Sequence, residues 1–97
     1  MAKKIKREVS VMPKNEVFMP VECNEEIKDV ILTLDEFEAI RLVDYEGFSQ
    51  ELCGEQMNVS RATAQRIHRA ARNKMAIALV EGRPLRIEGG SYKFNKK

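Results

Sequence analysis

Four arginines and a glutamine recur between residues 61 and 72, at spacings that place them along one side of a helix. A guanidinium group binds a phosphate or a guanine edge through two parallel hydrogen bonds, and a glutamine amide binds adenine in the same way. After Glu55 the next acidic residue is Glu81, so this stretch contains no carboxylate that could neutralise the arginines. Because a uniformly basic helix face repels itself unless it binds an anion, the pattern predicts contact with a polyanion.

A long amphipathic helix has to hold these side chains. We expect it to run from about Arg61 to Glu81 and to stop before Gly82 and Pro84, with a length of about 30 Å at ~1.5 Å per residue. One narrow stripe of the helix is apolar and should be buried, and it consists of Ala64, Ile67, Ala71, Met75 and Ala78. The opposite, exposed face carries Arg61, Ala62, Gln65, Arg66, Arg69 and Arg72.

A shorter helix precedes the long one. Ser49 is a candidate N-cap, residues 50–57 follow it, Asn58 suits a left-handed turn, and Ser60 can cap the long helix. Gly54 inside the short helix costs roughly 1 kcal/mol relative to alanine, so we expect a neighbouring helix to pack closely against it. The residues that can pack inward are Leu52, Cys53 and Met57. A short helix, a tight turn and a longer basic helix are typical of a helix-turn-helix, whose second helix enters the major groove with its N-terminal residues.

Another helix is predicted before this pair. Thr33 and Glu36 have the spacing of a capping box, which marks the start of a helix. Apolar residues then recur three apart from Phe37 onward, and Gly47 offers a left-handed stop. The sequence therefore predicts three helices in all.

Both ends of the chain have the character of strands. Residues 85–88 and 91–94 flank Gly89 and Gly90, which is a signal for a type I′ hairpin, so we expect these two segments to pair with each other. A lone hairpin is marginal in water, and the alternating residues 9–11 could add a third strand, from this chain or from a second subunit. We expect an N-terminal basic arm with a short strand at 1–27, a helix-turn-helix domain at 28–83, and a β-hairpin with a basic tail at 84–97.

Length and composition limit the classes of protein to consider. A chain of 97 residues has room for one small domain. Cys23 and Cys53 have no metal-ligand spacing and His68 is the single histidine, so we expect two reduced thiols, with Cys53 buried, and neither a metal site nor a cofactor. Motifs of nucleophilic or phosphate-binding sites are absent from the sequence. We therefore expect a cytoplasmic protein that is not an enzyme and has no membrane contact.

Charge is divided unevenly along the chain. The net charge is +2, but residues 1–21 carry +3, residues 22–55 carry −9 and residues 56–97 carry +8. The strongly basic segment 56–97 favours nucleic acid as the partner. The acidic third supports an alternative, a protein-interaction module that docks on the transcription machinery, including RNA polymerase, through Glu36, Glu38, Asp44 and Glu46.

Several stretches of the sequence also resemble a known family. They are Leu34–Leu42 (LDEFEAIRL), Glu46–Glu51 (EGFSQE), Glu55–Arg61 (EQMNVSR) and Leu85–Gly90 (LRIEGG) with Tyr92. Together they resemble a small uncharacterised prokaryotic family, domain of unknown function 134, whose members are predicted DNA-binding proteins with a core similar to region 4 of sigma factors. The resemblance covers most of residues 8–92.

The resemblance implies a mainly α fold, with a three-helix, sigma-region-4-like helix-turn-helix domain and small β elements from the terminal segments. It places the helix-turn-helix at Gln50–Arg69 and implies sequence-specific binding of double-stranded DNA by a transcriptional regulator. By their chemistry, Arg61, Gln65 and Arg66 suit base edges, whereas Arg69, Arg72 and the Ser60 hydroxyl suit phosphates; the small Ala62 permits close approach.

The remaining expectations concern His68 and the oligomeric state. We expect His68 to be a flanking polar residue rather than a ligand. We also expect a homodimer bound to a palindromic site, because a small three-helix unit makes few base contacts and its terminal strands lack support.

Overall fold

The computed structural model describes residues 6–23 and 26–95, and it contains three helices with small strands, as the sequence predicts. The basic tail at Lys96 and Lys97 and the start of the predicted N-terminal arm lie outside the described residues. In chain order the elements are β1 (Arg7–Val9), β2 (Val17–Phe18), β3 (Val30–Leu32), α1 (Leu34–Ile40), a π-helical turn (Arg41–Tyr45), α2 (Gln50–Met57), α3 (Arg61–Glu81), β4 (Leu85–Ile87) and β5 (Tyr92–Phe94).

The start of α1 has the predicted capping box, in which the Thr33 amide donates to Glu36 Oε1 at 2.9 Å. The helix does not stay α-helical to its end. Its last turn is a π-helix, where the Glu46 amide donates to the carbonyl of Arg41, five residues back, at 2.9 Å. Gly47 follows with φ of +81°, so the predicted left-handed stop is confirmed.

The connection between α2 and α3 follows from local sequence. Ser49 Oγ caps α2, and Asn58 adopts the left-handed conformation, with φ of 58°. The amides of Asn58 and Val59 then donate to the carbonyls of Glu55 and Gly54 at 3.2 and 2.9 Å, which is a Schellman motif. A Cβ on Gly54 would lie 2.8 Å from the Val59 carbonyl, so the predicted close approach is confirmed, with the turn and the first residue of α3 as the neighbours.

The core consists of two adjoining clusters. One joins the three helices through Ala39, Leu42, Cys53, Met57, Ala64 and Ile67. The other packs α3 against the β elements through Leu32, Leu34, Ala71 and Ile87. Two side chains predicted to be buried are not, since Leu52 and Met75 are each 38% exposed. Both lie at the edge of their helices' packed faces, where no neighbouring element covers them fully.

The predicted C-terminal hairpin is wrong. β4 is the central strand of a three-stranded sheet, antiparallel to β2 and parallel to β3, whereas β5 pairs in parallel with β1 in a separate two-stranded sheet. Gly89 and Gly90 do have positive φ values. The backbone around them is held by other partners, because the Leu34 amide donates to the Gly89 carbonyl and the Glu88 amide donates to the Leu32 carbonyl, both at 3.0 Å. The glycines therefore carry the chain from one sheet to the other.

Pairing between distant segments makes the three predicted regions one structural unit. The N-terminal region contributes β1 and β2, both of which pair with strands near the C-terminus. The terminal strands are thus paired within one chain, and the argument for a dimer from unsupported strands no longer holds. Within the described residues, no helix combines the length and apolar character needed to cross a membrane.

Candidate nucleic-acid interface

The N-terminal half of α3 presents all of the predicted contact residues to solvent. Ala64, Ile67 and Ala71 are buried and fix the opposite side of the helix to the core. Seven predicted residues are exposed as a result: Ser60, Arg61, Ala62, Gln65, Arg66, Arg69 and Arg72. Packing of the small apolar stripe therefore determines which way the arginines face.

The first turn of α3 is stabilised by its own side chains. Ser60 Oγ accepts a hydrogen bond from the Thr63 amide at 3.1 Å and donates to Thr63 Oγ1 at 2.9 Å. Arg66 Nη2 also donates to Thr63 Oγ1, at 3.2 Å. The Ser60 hydroxyl has one proton, which it donates to Thr63 Oγ1. To donate to a phosphate, as predicted, the hydroxyl would have to give up this hydrogen bond. The helix start still offers unpaired backbone amides, which favour an anion.

Arg72 lies at the far end of the exposed face, beside one carboxylate. Its Nε is 3.9 Å from Asp44 Oδ1, which is too long for a hydrogen bond, and its side chain is 67% exposed. An ion pair this open contributes little to stability. Arg72 can therefore turn to an external phosphate at small cost.

Asp44 is bound more firmly by His68. His68 is 8% exposed; its Nε2 lies 2.6 Å from Asp44 Oδ2 and its Nδ1 lies 3.1 Å from Gln50 Nε2. One ring nitrogen therefore faces the Asp44 carboxylate and the other faces the side-chain amide of Gln50. These contacts join the π-helical turn, α2 and α3. His68 thus has partners within the protein. Its contact with Asp44 was not predictable, because the π-helical turn that carries Asp44 has no sequence signal.

The acidic residues do not form the predicted docking face. Glu38 has no exposed surface, and it accepts hydrogen bonds from Arg41 Nε and Nη2, both at 3.0 Å, and from the amide and hydroxyl of Ser10. The hydrogen bond with Glu38 raises the pKa of Arg41 above its ordinary value. Glu36 accepts from Lys74 Nζ at 2.7 Å and is 8% exposed.

The prediction of an acidic surface at Glu36 and Glu38 is therefore wrong. Both carboxylates are withdrawn into the fold because each has cationic and amide partners there. Asp44 and Glu46, the other two members of that set, are exposed but lie beside His68 and Arg41 respectively. Among residues 6–23 and 26–95, no three His, Cys, Asp or Glu side chains come together as ligands for a metal ion.

Comparison of the sequence with known proteins identifies a family. A family profile described as "Protein of unknown function DUF134" matches residues 1–95. A UPF0251 protein of Desulfitobacterium hafniense (strain Y51) is 47% identical over 89 residues, which is 91% of this chain and 71% of that protein. A UPF0251 protein of Halothermothrix orenii is 48% identical over 91 residues, covering 93% of this chain and 67% of the relative. No solved structure matches the chain significantly.

Proposed function

The chain belongs to the DUF134 family, and we propose that it binds double-stranded DNA with the exposed face of α3 as a sequence-specific transcriptional regulator. In this proposal α2, the turn at Asn58 and α3 form a helix-turn-helix of the sigma-region-4 type. The supporting observation is that four arginines share one exposed helix face while the opposite face is locked into the core.

The electrostatics of that face favour a polyanion. Arg61 and Arg69 extend from the exposed face of α3, which carries no acidic residue before Glu81. Arg66 makes a single bond, to a hydroxyl of its own helix, and Arg72 has only the distant Asp44. A phosphate backbone supplies the counter-charge that the described residues do not.

The charge of α2 limits which residues can contact phosphates. α2 carries exposed Glu51 and Glu55 and no basic residue, so it is unsuited to lie against phosphates. Contacts to the DNA backbone then fall on Arg69, Arg72 and the Ser60 hydroxyl, while Arg61, Gln65 and Arg66 reach base edges. If Arg69 and Arg72 each neutralise one phosphate, a plot of the logarithm of the binding constant against the logarithm of the salt concentration should have a slope of about −2.

Fluorescence anisotropy tests the proposal. A labelled duplex with random sequence is titrated with the protein at two salt concentrations, and sites are then selected from a random duplex library. The variant R69A should bind the random duplex and a selected site more weakly. Its salt dependence should also be less steep, by about the contribution of one phosphate contact. K14A is the matched control, since it removes one exposed positive charge from the segment between β1 and β2.

Two outcomes would contradict DNA binding by α3. One is the absence of salt-sensitive binding to any duplex. The other is equal weakening by R69A and K14A, which would indicate attraction by overall charge rather than by the α3 face. Enrichment of a defined sequence by the wild type, lost in a variant of the helix start, supports a sequence-specific regulator.

A further inference from the structure

An apolar groove runs along the C-terminal half of α3. It encloses about 800 Å³ and lies between α3 and the segment that follows β2. Its apolar lining includes Phe18, Met19, Met75, Ala76, Leu79 and Leu85. The exposed face of α3 is basic as far as Arg72, which also borders the groove, so the surface becomes apolar where the basic residues end.

The side chains that border this groove project far into solvent. Leu79 is 85% exposed, its neighbour Val80 81%, and Met19 across the groove 63%. A contiguous apolar surface of this kind on a small protein marks a site of association. Leu79 lines the groove and also projects from it, and exposed Val80 follows it in the chain, so one surface carries both a cavity and side chains that could fill one.

A small molecule would find few polar groups in the groove to hold it. Asp44 accepts from His68, and Arg72 lies beside Asp44. Arg83 donates to the Lys28 carbonyl at 3.0 Å and to Glu81 at 3.2 Å. Ligand pockets orient their ligands with a few convergent polar groups. Of the charged side chains that line this groove, Asp44 and Arg83 already make hydrogen bonds within the protein, which leaves Arg72.

The arrangement of charge instead suits a second copy of the chain. One end of the groove carries Asp44 beside Arg72, and Arg83 beside Glu81 lies at the other end. A two-fold axis crossing α3 near Ala76 brings the first end of one copy against the second end of the other. Each acid then meets a base of the partner, and the small side chain of Ala76 permits the two helices to approach closely.

We propose that this groove is the interface of a symmetric homodimer, in which the antiparallel C-terminal halves of α3 pack together. Leu79 and Val80 from each copy enter the groove of the other. Arg72 borders both surfaces, whereas Arg61, Gln65, Arg66 and Arg69 do not line the groove, so the dimer leaves these four side chains open. The proposal does not rest on DNA binding, because the oligomeric state is measured without DNA.

Sedimentation equilibrium over a range of micromolar protein concentrations tests this interface. The wild type should be a reversible dimer. L79E and M19E place a carboxylate on opposite walls of the groove, and each should raise the dimer dissociation constant at least about tenfold. A70E is the matched control, because Ala70 is exposed on the same helix but does not line the groove. Thermal melts of each variant check that the fold is retained, as expected for side chains this exposed.

A wild-type protein that stays monomeric over the whole range would overturn the proposal and leave the groove to a different occupant. A dimer that persists in both L79E and M19E, or that A70E weakens as strongly, would place the interface elsewhere. Salt-sensitive binding of a single half-site by monomeric L79E would support the dimer interface and the DNA-binding face as separate features.

Discussion

Individual residues of α3 and of the turn before it were predictable because their signals are local. Ser49, Asn58 and Ser60 cap and turn the chain through their own backbone and side-chain chemistry, which needs no knowledge of distant segments. The exposed arginines followed from the helical period alone. Leu52 and Met75 were wrongly predicted to be buried, because burial depends on which distant residues reach a side chain and the helical period carries no such information.

Substitutions within α3 should separate base contacts from phosphate contacts. R61A and Q65A should each lose about 1–3 kcal/mol of binding free energy on a selected site and relax the preference at particular base pairs. R72A should weaken specific and random duplexes alike, because a phosphate contact carries no sequence information. Competition assays with single-base variants of the site measure both effects. Equal losses on specific and random DNA for all three variants would show that the division of roles is wrong.

Cys53 gives the molecule a measurable dependence on pH. Burial, with a smaller contribution from the Glu38 carboxylate, raises the pKa of this thiol to about 11. The folded state therefore holds the thiol proton more tightly than the unfolded chain, and stability present below about pH 9 should be lost as the pH rises towards 11. The loss amounts to roughly 2–3 kcal/mol. Urea unfolding of the wild type and C53A between pH 8 and 11 measures it, and parallel curves for the two proteins would contradict the assignment.

At the scale of elements, the helix boundaries were predicted correctly and the strand pairing was not. α2 and α3 begin and end at the expected residues because their caps are encoded within a few positions. Strand partners are chosen by packing between segments far apart in sequence, and the two glycines at 89 and 90 were compatible with a hairpin and with a crossover alike. The crossover formed because the backbone beside the glycines makes hydrogen bonds to β3 and to the start of α1. A local sequence pattern cannot predict such distant partners.

The contact between α2 and the turn should tolerate only a small side chain. A valine at position 54 would press its branched Cβ against the Val59 carbonyl and the start of α3. We expect G54V to lower the free energy of unfolding by about 1–3 kcal/mol and to weaken DNA binding by moving α3. E55V, at the next and exposed position, should cost no more than the difference in helix propensity, below about 1 kcal/mol. Equal urea midpoints for the two variants would argue against a tight contact.

The buried carboxylate of Glu38 joins β1 to α1. E38A leaves Arg41 and the Ser10 hydroxyl without their shared partner, so it should cost about 3–5 kcal/mol of unfolding free energy. E46A removes only the exposed partner of Arg41, 3.2 Å away, and should cost at most about 1 kcal/mol. S10A should cost about 1 kcal/mol alone and less in the E38A background, since the same hydrogen bonds are lost. Additive costs in that double-mutant cycle would contradict the proposed link.

At the scale of the whole molecule, the strands near the two ends of the chain pair with each other and pack against the helices. β5 lies along β1, and the residues just before β5 close over the first turn of α1. The sequence indicated strands at both ends but not this closure, because parallel pairing of remote segments has no local signature.

Closure of the chain over α1 should be sensitive to one methyl group. A Cβ at Gly90 would lie 2.6 Å from Asp35 Oδ1 and 2.7 Å from Thr33 Cβ, whereas a Cβ at Gly89 meets nothing within 4 Å. Both glycines have positive φ, so G89A measures backbone strain alone, about 1–2 kcal/mol. G90A should cost about 1–3 kcal/mol more. Thermal or urea unfolding compares them, and equal losses would mean that the C-terminal segment does not rest on α1.

The basic face and the apolar groove are carried by one uninterrupted helix of 21 residues. Such a helix is stiff, because it has no break between the end that would contact bases and the end that would contact a second copy. In a dimer joined at its groove, the separation of the two DNA-contacting ends is then dictated by the protein. Adding one base pair at the centre of an operator shifts the half-sites by ~3.4 Å and rotates them by ~35°. A dimer of the proposed kind would therefore select operators by the spacing of their half-sites as well as by their sequence.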